Sequence, residues 1–473
     1  MSAQRNATLK RGPDNQRGAA LMIMLVILVV GVAAILVNSL TTASIQTARQ
    51  KQTTAALAQA KAALIGYAVT YGDNPAHSLP QVPGYLPCPD YGGGNPEGSA
   101  EPVCGSQDVS VIGRLPWATL DVSTLRDGDG ECLWYAVSGT YKNSPKTGLM
   151  NWDTNGQFQV YTSDGTQLAS QVVAVIFAPG AVLSGQNRTG TAAPICGGNY
   201  TASNYLDNDT VHGINNSNVA TGNFIQGSST GNVNDQMVFI TRQDIWNAIQ
   251  KRTDFQPRNP TNPSLPNFNN PLVNLTQQVA LCLAKYGNNN QPDDNYSLPW
   301  AAQLSLSDYS VDTNYNDTYG LLAGRVPYLV GTARSTTGNT LGDLMTTGSC
   351  GAAWASVDPW WNNWKDHLFY AVSQYYRPTN YTDQYCGTCV HVNSSGNYAG
   401  VVMFAGPRLS TQTRANKSVI TDYLESSNST SVSAASGSGN YTSSPASSTF
   451  NDTVCVINPN NYWTHQDLTV NCL

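Results

Sequence analysis

The stretch Gln16-Arg17-Gly18-Ala19-Ala20-Leu21-Met22 joins a basic leader to an apolar run. The leader carries four Lys and Arg residues against the single acid Asp14, and residues 19–37 carry no charged side chain. A run of about 20 apolar residues is long enough to span a bilayer as a helix. Positively charged flanks stay preferentially on the cytoplasmic side. The sequence therefore predicts a membrane-anchored protein whose remainder is exported.

Helix-forming residues continue well beyond this apolar run. Residues 39–69 contain no Pro and no Gly before Gly66, and they are rich in Ala, Gln, Leu and Lys, which favour helices. One unbroken helix over residues 19–68 would be about 75 Å long, because each residue adds about 1.5 Å.

The junction at Gly18 resembles that of type IV pilins and of type II secretion pseudopilins, in which a short basic leader ending in Gly precedes a long apolar helix. The resemblance covers residues 1–50. It implies cleavage between Gly18 and Ala19 by a prepilin peptidase, followed by methylation of the new amino terminus. It also implies three partners, namely other pilin or pseudopilin subunits, the peptidase and inner-membrane lipid.

Ile23 departs from the common pattern of this family. Most pilins have a glutamate there, five residues into the mature chain, and its carboxylate is thought to pair with the amine of a neighbouring subunit. A buried amine without a partner is costly. The large tip subunit of pseudopili and some minor pilins lack this acid, so Ile23 favours a minor subunit. The length of 473 residues favours one too, because so large a head would crowd its neighbours along a filament shaft.

Two simpler interpretations of the amino-terminal segment stay open. A secretory signal also starts with basic residues, but its apolar core of about 7–15 residues ends at a small-x-small cleavage site. The run at residues 19–37 is longer, and no Ala-x-Ala follows it promptly. A single-pass anchor without any filament role is the second alternative.

Composition and charge are typical of an exported surface rather than of a nucleic-acid-binding one. Only 11% of the residues are charged, the net charge is −6, and the isoelectric point is about 5.3. Proteins that bind nucleic acid present basic patches to the phosphates. No such patch stands out, so no nucleic-acid partner is expected.

Ten cysteines follow the apolar run, and an even number in an oxidising compartment favours disulfides. Proximity in sequence suggests Cys88–Cys104 and Cys455–Cys472. The Cys386-Gly387-Thr388-Cys389 spacing also serves redox catalysis, but an apolar alternation at residues 390–392 predicts a strand after it, which favours a structural disulfide.

We expect an inner-membrane protein with a periplasmic head that later enters a pilus or pseudopilus of a Gram-negative bacterium.

Asp127, Asp129 and Glu131 alternate with Gly128 and Gly130. Carboxylates at such spacing suit the oxygen-rich coordination shell of calcium. Asp and Gly are equally common in plain turns, so calcium ligands and an ordinary acidic turn both remain open. No other cofactor is predicted.

The body of the chain contains an internal repeat, and such repeats are a primary guide to architecture. Short motifs recur in the same order in both halves. The paired motifs are residues 78–80 and 297–299, 113–117 and 324–328, 133–138 and 368–373, 175–180 and 402–407, 205–207 and 423–425, and 234–238 and 451–455.

The predicted fold class is α+β: a long amino-terminal pilin-like transmembrane helix followed by two tandem, duplicated α+β lobes with antiparallel sheets. The predicted domains are a leader (1–18), a membrane-spanning and amphipathic helix (19–70), a first lobe (71–252), an Asn/Pro-rich linker (253–274) and a second lobe (275–473). Asn- and Ser-rich residues 213–232 and 426–448 are expected to form exposed loops.

No catalytic residues are predicted, because no constellation in the chain matches a known reaction chemistry, and the protein is not expected to be an enzyme. The predicted function is a minor pilin or pseudopilin at the tip, or in assembly priming, of a type IV pilus or a type II secretion pseudopilus. The alternative is a pilus-borne adhesin that binds a surface ligand through the second lobe. An aromatic cluster there would mostly form core, with Trp361 or Trp364 facing outward.

Overall fold

A computed structural model describes residues 16–75, 77, 81–227, 233–289, 297–330, 350, 354–378, 389–459 and 467–473. The side chains of residues 16–42, 289 and 354–356 lie outside this description. Residues 16–42 include the predicted processing residues Gly18 and Ala19 and the filament-core position Ile23. Cys386 lies outside the described residues altogether.

The described helices include one that is far longer than the others. They are α1 (Gln16–Thr70), α2 (Arg242–Gln250), α3 (Pro271–Asn289), α4 (Trp354–Trp364) and α5 (Ser426–Ser433). A capping box opens α2, in which the Thr241 side chain accepts a hydrogen bond from the Asp244 backbone N–H and the Asp244 carboxylate accepts one from the Thr241 backbone N–H.

Short strands make up the rest of the regular structure. They are β1 (Val111–Arg114), β2 (Trp134–Val137), β3 (Phe158–Tyr161), β4 (Gln167–Ala178), β5 (Asn208–Asp209), β6 (Ile214–Asn215), β7 (Asn223–Ile225), β8 (Gln236–Thr241), β9 (Arg258–Asn259), β10 (Asn262–Pro266), β11 (Ala323–Arg325), β12 (Leu368–Val372), β13 (Val390–Val392), β14 (Ser395–Tyr398), β15 (Gly400–Phe404), β16 (Asn440–Tyr441), β17 (Thr453–Asn458) and β18 (Thr469–Cys472).

Two main sheets share one strand order. In the first sheet the order β1-β2-β4-β8 is antiparallel throughout, and β3 and β7 extend it beside β4. In the second sheet the order β11-β12-β15-β17 is also antiparallel, and β18 closes the edge. We call the residues around the first sheet (81–252) the first lobe and those around the second sheet (271–473) the second lobe.

Each main sheet is covered by one long helix. The carboxy-terminal half of α1 packs on β4 and β8, and α3 packs on β15, β17 and β18. Leu57, Ala60, Leu64 and Ala68 recur at helical spacing on α1 and are buried against the first sheet.

The two lobes share one hydrophobic core. A single cluster of buried side chains runs from Leu64 of α1 through Trp152 of the first lobe to Trp364 and Phe404 of the second. The segment predicted as an irregular linker contains the hairpin strands β9 and β10, and its Phe255 joins the same core. The lobes therefore pack as one body.

The fold-class prediction is wrong. Over the described residues, no helix combines the length and the apolar character needed to cross a bilayer. The described side chains of α1 start at residue 43 and include the cations Arg49, Lys51 and Lys61, which are costly to place in hydrocarbon. What the structure contains is a mixed helix-and-strand fold, and its sheets are not purely antiparallel, because β3 pairs with β7 and β13 with β16 in parallel.

Candidate functional site

Helix α1 leaves the head partway along its length. Every residue from 43 to 52 is exposed, including Ile45, whose exposed fraction is 54%. Among the described side chains of α1, Thr53 is the first that is buried, and the buried face described above begins beyond it. The whole helix is about 80 Å long at about 1.5 Å per residue, so its amino-terminal part extends beyond this buried segment.

A loop of the first lobe holds the helix at the point where it departs. Arg49 Nη1 lies 2.9 Å from Asp129 Oδ1, and Gln52 Nε2 donates to the Asp127 carbonyl at 2.8 Å. The Gly128 backbone N–H donates to Thr53 Oγ1 at 2.9 Å. A Cβ atom at Gly128 would lie 2.3 Å from the Arg49 carbonyl oxygen, so only glycine permits this approach.

The same loop carries the three predicted calcium ligands, and the structure directs them to different partners. The buried Asp127 carboxylate accepts backbone N–H groups of Asp129, Glu131 and Gly180 at 2.9 Å each. Asp129 pairs with Arg49, and Glu131 Oε1 lies 3.3 Å from Arg188 Nη1. Within the described part of the chain, no group of three acidic, His or Cys side chains is arranged to hold a metal ion.

Burial raises the pKa of Asp127, and its three backbone N–H donors offset only part of that effect. These three donors already occupy the Asp127 carboxylate oxygens, which are the atoms that a calcium ion would need. The contacts of this loop with Arg49, Gln52 and Thr53 instead make it a clamp on α1 in this structure.

Four disulfides link described cysteines. They are Cys88–Cys104, Cys132–Cys196, Cys282–Cys350 and Cys455–Cys472. The first and last are the pairs that proximity suggested, and the two longer links were not predicted. Cys389 is buried and disulfide-bonded as well.

A mostly buried polar network is formed by residues of the segment between β4 and β8. Gln186 Nε2 donates to Asp207 Oδ1 at 2.7 Å, while Gln186 Oε1 accepts from Arg188 Nη2 at 2.7 Å. Asp207 Oδ2 accepts the Asp235 backbone N–H at 3.1 Å. Asp235 Oδ2 in turn accepts the Asp207 backbone N–H at 2.8 Å and Asn216 Nδ2 at 2.9 Å.

The second lobe repeats most of this network, with Glu425 in the place of Asp207. Gln412 Nε2 donates to Glu425 Oε1 at 2.7 Å, and Gln412 Oε1 accepts from Arg414 Nη2 at 3.3 Å. Asp452 Oδ2 accepts the Glu425 backbone N–H at 3.0 Å and Asn428 Nδ2 at 2.8 Å. The duplication therefore extends beyond strand order to a set of matched side chains.

A buried arginine stacks over a tyrosine beside each network. The Arg114 guanidinium lies 4.9 Å from the centre of the Tyr205 ring, and the Arg325 guanidinium lies 5.6 Å from the Tyr423 ring. Both arginines are almost fully buried. Their hydrogen bonds go mainly to backbone carbonyls, as in the 2.8 Å bond from Arg114 Nη2 to Gly197 O, so each guanidinium fixes loops around its sheet.

Each lobe also contains a buried carboxyl oxygen without a hydrogen-bond partner among the described residues, namely Oδ1 of Asp235 and Oδ1 of Asp452. Burial raises the pKa of both groups, and the nearby carboxylates Asp207 and Glu425 raise it further. Two buried carboxylates side by side repel, so one of them holds a proton more tightly.

The outer ends of the two networks differ, and this difference joins the lobes. Arg188 pairs with Glu131 of its own lobe at 3.3 Å. Arg414 instead reaches across, and its Nη1 lies 3.0 Å from Oδ2 of Asp153 in the first lobe. His367 Nε2 also lies 2.9 Å from this Asp153 oxygen. One carboxylate of the first lobe thus receives two groups from the second.

His367 stands at the centre of this contact and is completely buried. Its Nδ1 lies 2.8 Å from Asp366 Oδ1, and its Nε2 lies 2.9 Å from Trp152 Nε1. Lys417 Nζ donates to the other Asp366 oxygen. We interpret this buried group as a contact that holds the two lobes together. We call Trp152, Asp153, Asp366, His367, Arg414 and Lys417 the inter-lobe cluster.

Both acids of the inter-lobe cluster are held in the charged form. Burial acts to raise the pKa of Asp153, but His367 and Arg414 outweigh it and lower the pKa to about 2. Burial likewise opposes ionisation of Asp366, and Lys417 and His367 bring its pKa well below the ordinary value.

The predicted outward orientation of Trp361 or Trp364 is wrong. Their exposed fractions are 1% and 0%. Trp364 packs edge-on against Trp152 with ring centres 4.3 Å apart, which places it in the shared core. Trp361 Nε1 donates to Asp312 Oδ1 at 3.0 Å.

Sequence reasoning missed the arginines that bind the networks together. A signal for them exists, because Gln186-Asn187-Arg188 and Gln412-Thr413-Arg414 share the spacing Gln-x-Arg at equivalent places of the repeat. Asp153 has no such signal, because its contact with Arg414 joins residues 261 positions apart.

Comparison with known proteins gives no relative. No protein-family model matches the chain, and no curated protein or solved structure does. Function must therefore be argued from the residues and their geometry.

Proposed function

We propose that the protein is a minor subunit of a pilin-type filament, placed at the tip or used to prime assembly. The observation that carries this proposal is that α1 continues past its buried segment with every residue from 43 to 52 exposed, although Arg49, Gln50 and Gln52 still contact the first lobe. An isolated helix with exposed apolar side chains such as Ile45 gains stability by packing against other helices. In a filament those helices belong to neighbouring subunits.

The clamp on α1 supports this proposal. A rod that transmits force or position needs a fixed angle at its base, and the Gly128 approach together with the Arg49–Asp129 pair fixes that angle. Two packed lobes above the rod make a wide head, which suits a subunit with no further subunit above it.

The disulfides favour an oxidising compartment, because such links persist in the periplasm and on cell surfaces. The proposed partners are other pilin-type subunits and a prepilin peptidase that cleaves between Gly18 and Ala19.

The first experiment is to determine the amino terminus of the protein recovered from its own cells, with and without the prepilin peptidase. A chain that begins at Ala19 only when the peptidase is present supports the proposal. Gly18→Val should block this processing, whereas Ser2→Val in the same leader should not. A chain that keeps Met1 in both strains, or that starts beyond residue 38, contradicts the proposal.

A second experiment tests the packing of the projecting helix directly. A photo-crosslinking amino acid at Ile45 should capture another subunit in intact cells. The matched control is Val211, which is 80% exposed but lies in a loop of the first lobe. Equal capture at both positions, or none at Ile45, would argue against a helix that packs inside a filament.

Deletion of the gene separates this proposal from the adhesin alternative. Loss of piliation or of secretion favours a filament subunit, and normal filaments with lost attachment favour an adhesin. Trp361 and Trp364, the two side chains expected to face outward, are buried, so they lend that alternative no support.

A further inference from the structure

A cleft of about 400 Å³ opens where the two lobes meet, away from the projecting helix. Its apolar walls come from both lobes and from the segment between them. The apolar lining residues include Trp152, Phe255, Leu272, Phe404 and Leu409. A volume of this size lies within the range of small-molecule sites, which are about 300–1,000 Å³.

The polar part of the lining contains no acid. Arg408 is the single charged residue among the lining residues, and the other polar groups are neutral amides and hydroxyls such as Gln250, Asn270 and Ser447. In a chain with a net charge of −6, a cleft with one cation and no anion stands out.

Arg408 is free to take a ligand. Its side chain is exposed, and within the described structure it makes one hydrogen bond, from Nη1 to the Thr413 carbonyl at 3.2 Å, and no ion pair. The remaining guanidinium N–H groups can donate to a ligand. A guanidinium binds a carboxylate through two parallel hydrogen bonds, which makes this pairing both strong and directional.

The surroundings add positive charge. Burial lowers the pKa of the Arg242 guanidinium, and the charges of Arg408 and Arg414 lower it further, so these three cations lie within electrostatic reach of one another. Asp153 faces this group but is already engaged by Arg414 and His367. Arg408 therefore has two further guanidinium groups in its neighbourhood.

We propose that this cleft binds a small organic carboxylate with an apolar, ring-sized body. The carboxylate pairs with Arg408, and the body lies against Trp152 and Phe404. The lining contains no carboxylate that could bind a cation. It contains a single guanidinium, whereas a multiply charged phosphate would need several cationic partners. The shared ligand chemistry could be supplied by a free organic acid or by the carboxyl terminus of a peptide that ends in an apolar residue.

Titration calorimetry of the full-length protein with phenylacetate tests the site, with phenylacetamide as the neutral analogue of the same shape. We expect phenylacetate to bind and Arg408→Gln to weaken it by about tenfold or more, as loss of a charge-assisted hydrogen bond predicts. Phenylacetamide should bind with a similar deficit. Lys251→Gln, which removes an exposed cation at the end of α2, should leave binding unchanged.

Three results would overturn the assignment: no heat from phenylacetate, equal binding of the acid and the amide, or equal effects of Arg408→Gln and Lys251→Gln. Thr453→Trp provides an independent check, because the larger side chain would fill the cleft while Arg408 stays in place. It should abolish binding, and unaltered binding contradicts the location.

A hexapeptide ending in Phe, with a free or an amidated carboxyl terminus, distinguishes the two ligand sources. Tighter binding of the free peptide than of phenylacetate identifies a chain terminus, and weaker binding identifies a free acid. Both results keep the carboxylate assignment. Tight binding of the amidated peptide at Arg408-independent strength would overturn it.

Discussion

Arg414 of the second lobe places its Nη1 atom 3.0 Å from Asp153 Oδ2 of the first lobe. Its counterpart in the repeat, Arg188, makes an ion pair with Glu131 inside its own lobe. The same position of the duplicated network thus serves internal order in one copy and inter-lobe contact in the other. This asymmetry yields the first prediction.

Arg414→Leu should destabilise the protein by about 3–5 kcal/mol, because removal of one partner leaves the other charge buried without full compensation. Since the lost pair joins the lobes, we also expect the denaturant unfolding curve to separate into two transitions. Arg188→Leu is the matched control. It removes a pair whose acid is partly exposed, so it should cost less and keep a single transition. Equal effects of the two changes would contradict the inter-lobe role.

Acid should weaken the inter-lobe cluster. The pKa of Asp153 is lowered to about 2 in the folded protein, so its contribution is present above the unfolded value near 4 and is lost as the pH falls through 2. We expect about 2 kcal/mol of unfolding free energy to disappear between pH 5 and pH 2. Asp153→Asn should remove this part of the pH dependence, as measured by denaturant titrations at each pH. An unchanged acid slope in the variant would contradict the assignment.

Raising the pH should weaken the two buried carboxyl pairs, Asp207 with Asp235 and Glu425 with Asp452. This pH dependence is the reverse of the one expected for Asp153. The pKa values of Asp235 and Asp452 are raised above the ordinary value near 4, so the folded protein binds these protons more tightly than the unfolded chain does. Their contribution is complete at low pH and is lost as the pH rises through the folded values. Asp235→Asn and Asp452→Asn mimic the protonated groups and should flatten the decline of melting temperature as the pH rises above about 4.

Asp422→Asn provides the control for this experiment. Although burial acts to raise the pKa of Asp422, hydrogen bonds from Thr413 and Arg414 lower it, so it belongs to the opposite class. Its substitution should leave unchanged the decline of melting temperature with rising pH. A decline that persists in the Asp235 and Asp452 variants would show that the protons are not held there.

The long disulfide of the first lobe should contribute more stability than the short one. Cys132 and Cys196 are 64 residues apart, whereas Cys88 and Cys104 are 16 apart. In the chain-entropy description these closures are worth about 4 and about 3 kcal/mol. Replacing both members of each pair with Ala and measuring unfolding free energies tests the order. A reversed order would show that local packing, rather than loop closure, determines the effect.

Parts of the fold follow directly from sequence. The motifs at residues 133–138 and 368–373 contain β2 and β12, and both are second in their sheets. One paired motif was wrong in detail. The Leu86 backbone N–H donates to Tyr141 O at 2.8 Å and that of Leu298 to Tyr376 O at 2.7 Å, so residues 297–299 correspond to residues 85–87 rather than 78–80. The shared Ser-Leu-Pro tripeptide suggested the wrong equivalence between the copies, and the shared backbone hydrogen bonds identify the right one.

Other features depend on tertiary contacts that no local pattern contains. Residues 426–448 were expected to form an exposed loop, yet they include α5 and β16. The reason is Asn428, whose side chain is buried against Asp452 by a hydrogen bond of 2.8 Å. The Asn- and Ser-rich composition of residues 426–448 predicted exposure to solvent. Composition cannot show that one polar side chain, Asn428, is buried by a tertiary hydrogen bond.

Trp152 has a consequence for the history of this duplication. It belongs to the first copy, but the rings that surround it, Trp364, His367 and Phe404, all come from the second. A gene encoding the first copy alone would now expose that indole, and a gene encoding the second alone would leave a hole. Each copy therefore depends on the other to complete the packing of its core.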